Sequence, residues 1–409
     1  MAVIALGLYL EASTQSAGQE AVRMSVAGEA AAEGRRKAAL TADYYNLQLG
    51  PTKWNFVAGL DLEGNDNVRF DSSQREADLV LRPQVTAGMA WQVSDVNSLN
   101  LAFGAGYSAY VLHPELDRFF VGPGSELSLD LYAGGFWINL HERLSITENA
   151  YQDPTVVGVG NYSQLQNTAG LAGTWDLNKL VVRLGYDHAN YALLAGDGGS
   201  PDGDSEVFAF SAGYRIAPEA LAGVESGGGL LRYHGEDVAI NRATDWNVGA
   251  FMDAQVMEHV RINARAGYTV YAPEVSDAHA PADEFTGIYA RLALNHRVNR
   301  HVDYELSGGR SITFGFFSGT IDLYNALLGA RWHLFRKLGL GTSFEFEHGS
   351  QVLAGHETFD RFGPGLSLDR SITRKLSGSI RYQYYQRQSD VPGGDYVINI
   401  VTLSLVYRL

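Results

Sequence analysis

Three groups of residues in the sequence could do chemistry. Asp187 is followed by His188, and His356 lies close to Asp360, so each pair offers an acid and a base of the kind hydrolases use. Residues 196–204 read Gly-Asp-Gly-Gly-Ser-Pro-Asp-Gly-Asp, and their oxygen-rich side chains resemble those of a calcium loop. Arg, Asp and Glu also recur at alternate positions along many segments, which predicts surfaces of mixed charge.

The first two groups give only weak support to catalysis or to a metal site. Adjacent residues of a strand face opposite sides, so Asp187 and His188 would not meet one substrate. No nucleophile accompanies His356 and Asp360, and residues 196–204 lack the EF-hand spacing. We therefore predict no enzymatic activity, no cofactor and no tightly held metal, with weak binding of divalent cations at acidic loops left open.

Composition excludes several classes of protein. The chain has 409 residues and a formal net charge of −15, which disfavours nucleic acid as a partner. No stretch approaches the roughly 20 apolar residues that a membrane-spanning helix needs. Cysteine is absent, which excludes disulfides and thiolate metal sites. No linker or shift in composition follows residue 50, which favours one large unit.

Alternation of apolar and polar residues is the main structural signal. It is clearest in residues 54–63, 79–92, 99–109, 260–268, 338–347 and 395–409. Such runs of about 10 to 14 residues exceed the usual soluble strand and suit a tilted strand that crosses a bilayer. In the last run, Val401, Leu403, Leu405 and Tyr407 share one face while Thr402, Ser404 and Arg408 share the other.

The connections between runs fall into two classes. Eight tight turns are predicted at residues 94–97, 141–143, 178–179, 217–219, 258–259, 299–300, 336–337 and 373–375. Longer, mostly acidic loops are predicted at residues 65–78, 196–204 and 274–284, and a β-bulge at Gly134 and Gly135. Because each tight turn joins two strands, eight turns with the first and last strands give about 18 strands.

These patterns predict an all-β fold, a closed antiparallel transmembrane β-barrel of about 18 strands. Its short turns would be periplasmic and its longer acidic loops extracellular. Residues 1–20 are predicted to be a signal peptide, residues 21–50 a short periplasmic, helical segment, and residues 51–409 the barrel. A soluble propeller with a repeat of similar length is disfavoured, because each unit holds two long strands and not four short ones.

Three segments carry a resemblance to a known family. They are residues 59–68 (Gly-Leu-Asp-Leu-Glu-Gly-Asn-Asp-Asn-Val), residues 175–186 (Trp-Asp-Leu-Asn-Lys-Leu-Val-Val-Arg-Leu-Gly-Tyr) and the terminal Tyr407-Arg408-Leu409. The chain resembles the outer-membrane β-barrel porins, some of whose members are associated with exopolysaccharide systems. The resemblance implies a location in the outer membrane of a Gram-negative-type bacterium. Tyr407 and Leu409 resemble the signal that the barrel-assembly machinery reads.

Strand phase predicts which charged side chains line the lumen. The predicted cations are Arg82, Arg183, Arg215, Arg261, Arg265, Arg291, Arg297, Arg331, Arg361 and Arg381. The predicted anions are Asp61, Glu63, Asp130, Asp187, Glu225, Asp253, Asp303, Glu305, Glu345, Glu347 and Asp369. Gly residues are also frequent on this face, where they would widen the pore or make room for Tyr132, Tyr289 and Tyr385.

Two functions are consistent with such a wall. The first is a porin-like channel for passive passage of small polar or charged solutes. The alternative is a structural or export-associated barrel, for instance in an exopolysaccharide system, with a filled lumen or a protein partner. Predicted partners are outer-membrane lipid, lipopolysaccharide and the barrel-assembly machinery, and a homo-oligomer stays open. We expect no loop to fold into the pore, and the N-terminal segment to narrow its periplasmic mouth.

Overall fold

The computed structural model of the protein describes residues 45–147, 163–195, 202–234, 240–275, 284–314, 320–335, 337–351 and 357–409. The predicted signal peptide, nearly all of the predicted N-terminal segment and His356 lie outside these residues. Most of the acidic stretch 196–204 also lies outside them.

The described chain is almost entirely β-strand. Its strands are β1 (Leu47–Leu49), β2 (Thr52–Asn65), β3 (Asp78–Gln92), β4 (Ser98–Tyr110), β5 (Arg118–Ala133), β6 (Phe136–Thr147), β7 (Ser163–Asp176), β8 (Leu180–Ala195), β9 (Asp202–Ala217), β10 (Ala220–His234), β11 (Ile240–Met257), β12 (Val260–Val275), β13 (Phe285–Arg297), β14 (Val302–Phe314), β15 (Thr320–Phe335), β16 (Leu338–Gln351), β17 (Thr358–Ser371), β18 (Leu376–Ser389) and β19 (Tyr396–Arg408). A single turn of 3-10 helix, Pro114–Leu116, precedes β5. No helix among the described residues has the length and apolarity to span a membrane.

Strands β2 to β19 form one closed antiparallel barrel. Each of them pairs with its neighbour in sequence, and β19 pairs with β2 through Leu403 opposite Leu62 and Leu405 opposite Leu60. The described part of the chain therefore confirms the predicted architecture of 18 long strands. Closure satisfies the backbone N–H and C=O groups that an open edge would leave unpaired.

The two faces of the barrel wall differ in polarity. Leu60, Val85, Leu184 and Leu403 stand on a face whose apolar side chains are exposed, as expected where a barrel meets lipid. We call this the outer face. The opposite, concave face carries charged side chains, among them Glu63 and others that are fully buried, and we call it the inner face.

The two ends of the barrel also differ. Connections such as 177–179, 218–219 and 258–259 are tight, and they all lie at one end, the short-turn end. Connections such as 66–77 and 111–117 are longer and lie at the other end, the long-loop end. The predicted alternation of tight turns with longer loops is therefore confirmed.

The predicted bulge at Gly134 and Gly135 and the predicted turn at residues 141–143 are both wrong. Gly134 and Gly135 are the turn between β5 and β6 and not a bulge, since Ala133 pairs directly with Phe136 and Gly134 has a φ of 63°. Residues 141–143 accordingly lie inside β6, where His141 faces inward. The change of strand phase at Gly134 marked a reversal of chain direction. The polar side chains of His141 and Arg143 marked inner-wall contacts, to Asp187 and Glu126, whereas Glu142 faces outward.

Chain segments at the short-turn end fasten the seam between β19 and β2. Strand β1 pairs with β2, with Leu47 opposite Trp54. The Asn46 side-chain amide donates to the carbonyl oxygens of Phe56, at 3.1 Å, and Leu409, at 3.0 Å. The backbone N–H of Leu409 in turn donates to the same Phe56 oxygen at 3.1 Å.

Candidate functional site on the inner wall

Charged side chains of opposite sign pair across the strands of the inner face. Arg82 on β3 binds Glu63 on β2, with 2.6 Å between Nη1 and Oε2, and its Nε donates to Ser108 on β4 at 3.0 Å. Both Arg82 and Glu63 are buried, so this pair has little contact with water. Asp61, one position nearer the short-turn end on the same face, accepts a hydrogen bond from Gln84 at 3.0 Å.

A second pair spans more than one strand. Arg265 on β12 binds Glu225 on β10 at 2.6 Å, and its other guanidinium nitrogen lies 3.9 Å from Asp253 on β11. Tyr289 on β13 donates to the second Glu225 oxygen at 2.9 Å. The Tyr289 ring lies across β12 and β11 to reach Glu225. This is possible only where the strands beneath the ring carry no protruding side chain.

Glycine provides that flat surface. A Cβ built at Gly249 would lie 2.2 Å from the Tyr289 hydroxyl oxygen and 2.5 Å from the Ala266 carbonyl oxygen. A Cβ at Gly267 would lie 2.6 Å from the Tyr289 ring. The inner glycines at these positions are therefore covered by an aromatic side chain, and they do not widen the lumen here.

The same device appears on β7. His141 on β6 and Asp187 on β8 meet across Gly170, with 2.9 Å between Nε2 and Oδ1, and a Cβ at Gly170 would overlap both side chains. His141 also bonds Asn139 at 2.9 Å, and Asn139 donates to Asp130 at 2.8 Å. The buried Asp130 and Asp187 are thus joined through an imidazole and an amide.

The candidate acid–base pair on β8 does not meet at one surface. Asp187 and His188 face opposite sides of the wall, since His188 binds Glu206 on the outer face at 3.2 Å. Among the described residues, no group of three or more His, Asp or Glu side chains has the geometry to hold a metal ion.

The most enclosed charges lie near the long-loop end of β16 to β18. Arg361 binds Glu347 at 2.5 Å, lies 3.8 Å from Glu345, and stacks 4.9 Å above the Tyr385 ring. Arg387 binds Glu357 at 2.7 Å. Burial of either arginine without a partner would cost free energy, because its charge would lose hydration. The neighbouring carboxylates and aromatic rings offset that cost.

Residues 66–77 fold inward over this region, contrary to the expectation that no loop does so. Val68 and Phe70 are each only 5% exposed, and Phe70 packs edge-on against Tyr396 with 5.9 Å between ring centroids. The inner-face residues Ile398 and Val80 are fully buried in the same area. The loop therefore narrows the long-loop end of the barrel.

Ion pairs connect this loop to the next one. Arg69 binds Glu76 at 2.5 Å and Glu115 at 2.7 Å, and its hydrogen bond to Glu76 raises the pKa of its guanidinium. His113 contacts Glu76 at 3.2 Å and Asp78 at 2.8 Å. Loop 66–77 and the 3-10 turn at Pro114–Leu116 consequently form one cap at this end.

Other predicted charges lie on parts of the inner face that water reaches. Arg261, Arg291, Arg297 and Arg381 are exposed on β12, β13 and β18. Arg291 stands directly opposite Arg265 in the β12–β13 pairing, so two guanidinium groups face each other. Like charges opposite each other repel, and Arg291 has Glu305 as an electrostatic neighbour.

The remaining predicted residues form ion pairs near the short-turn end or lie partly exposed on the wall. Arg331 binds Asp369 at 3.2 Å. Arg215 binds Asp176 at 3.0 Å, and His333 lies 3.7 Å from Asp303. Arg183 and Glu305 are partly exposed on the same face.

Several residues of this wall were missed in the sequence. Val68 and Phe70 are the two large apolar side chains of a mostly polar loop, and that contrast was a usable signal. His141 was assigned to a turn, so its inward position was lost. Arg387 and Glu357 are separated by a strand and a turn, and nothing local in the sequence marks them as partners.

Fold and wall together define a class: the described chain is a closed 18-stranded antiparallel barrel with a charged inner wall. Three crystal structures are similar to it in fold. The Acinetobacter baumannii OccAB3 structure is 9% identical, with 88% of this chain and 100% of that chain covered at a TM-score of 0.51. The Pseudomonas aeruginosa OpdO structure is 10% identical, with 88% and 98% covered at 0.51. The Pseudomonas aeruginosa OccK5 (OpdH) structure is 10% identical, with 88% and 99% covered at 0.50.

At such low identities the similarity concerns the fold. No family model matches the chain, and no curated protein matches its sequence.

Proposed function

We propose that this protein is an outer-membrane channel through which small polar or charged solutes pass passively. The proposal includes a location in the outer membrane of a Gram-negative-type bacterium, which the exposed apolar outer face of the closed barrel supports. The short turns would then be periplasmic and the cap formed by loop 66–77 extracellular.

The observation that carries the proposal is the set of exposed charged residues on the inner face. Arg261, Arg291 and Arg381 would be costly to leave unpaired in a dry, filled interior. Exposure to water inside a closed wall is what an aqueous pore provides. Opposed charges along such a wall also bias which solutes enter.

Planar-bilayer recording of the purified protein tests this function. We expect stable ohmic steps from the wild type. Silent barrels that are correctly folded, as judged by heat-modifiable mobility in gels, would contradict the channel.

Arg291 allows a sharper prediction about selectivity. In Arg291→Gln, the loss of one exposed cation should shift the permeability ratio toward cations by about twofold to fivefold, since one charge about 4 Å away in water is worth ~1 kcal/mol. The reversal potential in a salt gradient measures this ratio. Arg374→Gln, in the exposed turn between β17 and β18, is the control and should leave the ratio unchanged. Equal ratios for Arg291→Gln and wild type would contradict a role of Arg291 in the pore.

The alternative function is a structural or export-associated barrel, for instance in an exopolysaccharide system. The dense packing of Arg361, Arg387 and loop 66–77 at the long-loop end supports it, because a filled end would block free diffusion. A silent barrel that co-purifies with a specific protein or polysaccharide would favour this alternative.

Assembly through the barrel-assembly machinery is part of the proposal. Tyr407 stands on the outer face of the closing strand, 43% exposed, with Leu409 immediately beyond that strand. This arrangement supports the proposed recognition signal. Binding of lipopolysaccharide at the outer surface stays a prediction. Weak binding of divalent cations at the acidic loops also stays a prediction.

A further inference from the structure

The outer face carries a group of polar side chains on β6 to β9. It consists of Glu142, Asn167, Tyr186, His188 and Glu206, and we call it the β6–β9 polar patch. On β2 to β4 the corresponding face is built from residues such as Leu60, Leu81, Val85 and Phe103. The patch is therefore a local departure from an apolar wall.

Strand pairing brings these side chains together. Glu142 pairs with Ala169, Ala169 with His188, and His188 with Glu206, so all four lie in one row across four strands. Asn167 lies one position away on the same face of β7.

Two pairs of contacts organise the patch. The Asn167 amide donates to Glu142 at 3.1 Å. Glu206 accepts from the Tyr186 hydroxyl at 2.5 Å and contacts His188 Nδ1 at 3.2 Å. Among the described contacts, the His188 Nε2 atom and one carboxylate oxygen of Glu142 are not used.

The depth of Glu142 makes its exposure costly. Leu140 and Leu144 precede and follow it on the same face of β6, and the stacked Phe136 and Trp175 rings mark the short-turn end. Strand rise and tilt place Glu142 about 15 Å from that stack, inside an apolar band about 25 Å tall. At this level lipid offers acyl chains and no hydrogen-bonding groups.

We propose that the β6–β9 polar patch is where a second copy of this chain packs side by side in the membrane. The patch holds both acceptors (Glu142, Glu206) and donors (Asn167, Tyr186, His188), so the same surface on two copies is complementary, as a two-fold interface requires. Glu142 of each copy would face the His188 and Tyr186 region of the other. Association removes a carboxylate from contact with lipid.

The small residues of β7 suit this arrangement. Ala169 lies at the centre of the row, and a Cβ added to Gly173 would meet no atom within 4 Å. Two walls can approach closely at Ala169 and Gly173. Leu171 and Trp175, which are exposed on the same face of β7, would pack beside these two positions. The proposal needs the barrel to lie in a membrane, but it does not need the lumen to conduct, so its failure and the failure of channel function are separate results.

Single-cysteine crosslinking in native membranes tests the interface, because the chain contains no cysteine of its own. Asn167→Cys places a thiol on the patch, and Ala326→Cys places one at a matching depth on β15, across the barrel. We expect a disulfide-linked dimer from Asn167→Cys under mild oxidation and none from Ala326→Cys. Adding Glu142→Leu or His188→Leu to Asn167→Cys should abolish the dimer while heat-modifiable mobility stays intact.

The purified wild type should also have the mass of two copies by light scattering in detergent, and Glu142→Leu the mass of one. Equal crosslinking at both positions, a monomeric wild type, or a monomer that retains lipopolysaccharide at the patch would each overturn the proposal. If Glu142→Leu does not assemble, Glu142→Gln with His188→Leu provides the same comparison.

Discussion

Arg361 is the most deeply enclosed of the predicted inner-wall arginines, with only 1% of its surface exposed. Glu347 at 2.5 Å, Glu345 at 3.8 Å and the Tyr385 ring provide its surroundings. Such a pair adds little net stability over a well-packed apolar substitute, yet breaking it leaves a charge in a poorly hydrated site. Because both are buried, Arg361 and Glu347 each need the other to neutralise their charge.

Substitution of one partner tests that dependence. Glu347→Leu should lower the free energy of unfolding by about 3 to 5 kcal/mol, the usual cost of leaving a buried partner charge uncompensated. The double variant Arg361→Leu with Glu347→Leu should be more stable than Glu347→Leu alone. Urea unfolding in detergent, followed by loss of heat-modifiable mobility, measures both. A double variant that is the least stable of the set would contradict this account.

Sequence alone could assign these residues to a face but not to an environment. Alternation at period two fixes the side of a strand on which Arg361 or Arg381 lies, because successive side chains point to opposite faces. Whether that side is wet or buried depends on strands and loops distant in sequence. Arg361 is enclosed by β16, β18 and β19, whereas Arg381 on β18 is exposed. Their local sequences do not distinguish them.

At the scale of elements, loop 66–77 has the largest consequence. Phe70 and Val68 anchor it to the inner face, and Arg69 connects it to Glu115 on the neighbouring connection. A polar loop of this length was expected to stay outside the pore. Two apolar side chains were enough to bring it in, because burial of each is worth about 1.5 to 3 kcal/mol.

Phe70→Ala should release this loop. Loss of the Tyr396 contact removes about 3 to 5 kcal/mol of packing, and Phe70 is the larger of the two apolar side chains that anchor the loop to the inner face. We expect higher single-channel conductance and faster proteolysis within residues 66–77. Val111→Ala, at an exposed position in the next connection, is the control and should change neither.

The same loop should respond to acid. Backbone N–H groups of Gln74 and Ser73 donate to Asp71 and hold the pKa of its carboxyl below the ordinary value of 3.8. Because the folded pKa is the lower one, this stabilisation is complete above about pH 4 and is lost as pH falls through the depressed pKa. Proteolysis of the loop should accelerate as the pH falls below about 4. In Asp71→Asn the acceleration should be smaller, and equal acceleration in both would exclude Asp71 as its source.

The turns show where a pattern-based prediction ends. Most tight turns were located correctly, since Pro218 or Asn178 interrupts a clear alternation. The exception at residues 141–143 arose because inner-wall polar residues and turn residues have the same composition. His141 lies inside β6, and its imidazole donates a hydrogen bond to Asp187, two strands away. That partner becomes visible only once the strands are paired.

For the whole molecule, strand number and closure followed from counting hairpins, because a closed antiparallel barrel admits few other arrangements. Closure of the barrel requires the first and last long strands to pair, and Leu403 of β19 lies opposite Leu62 of β2. The clasp that Asn46 makes to Phe56 and Leu409 was not predicted, since it joins segments from the two parts of the chain most distant in sequence.

The inner face is also uneven from one end of the barrel to the other. Phe70, Arg361 and Tyr396 crowd the long-loop end, whereas Arg261 and Arg291 stand in water nearer the short turns. A pore that is narrowed at one end, with fixed cations away from that narrowing, gathers mobile ions under one polarity of voltage and depletes them under the other. We therefore expect this barrel to rectify, with unequal currents at equal and opposite potentials, and with the inequality fading as salt shortens the Debye length.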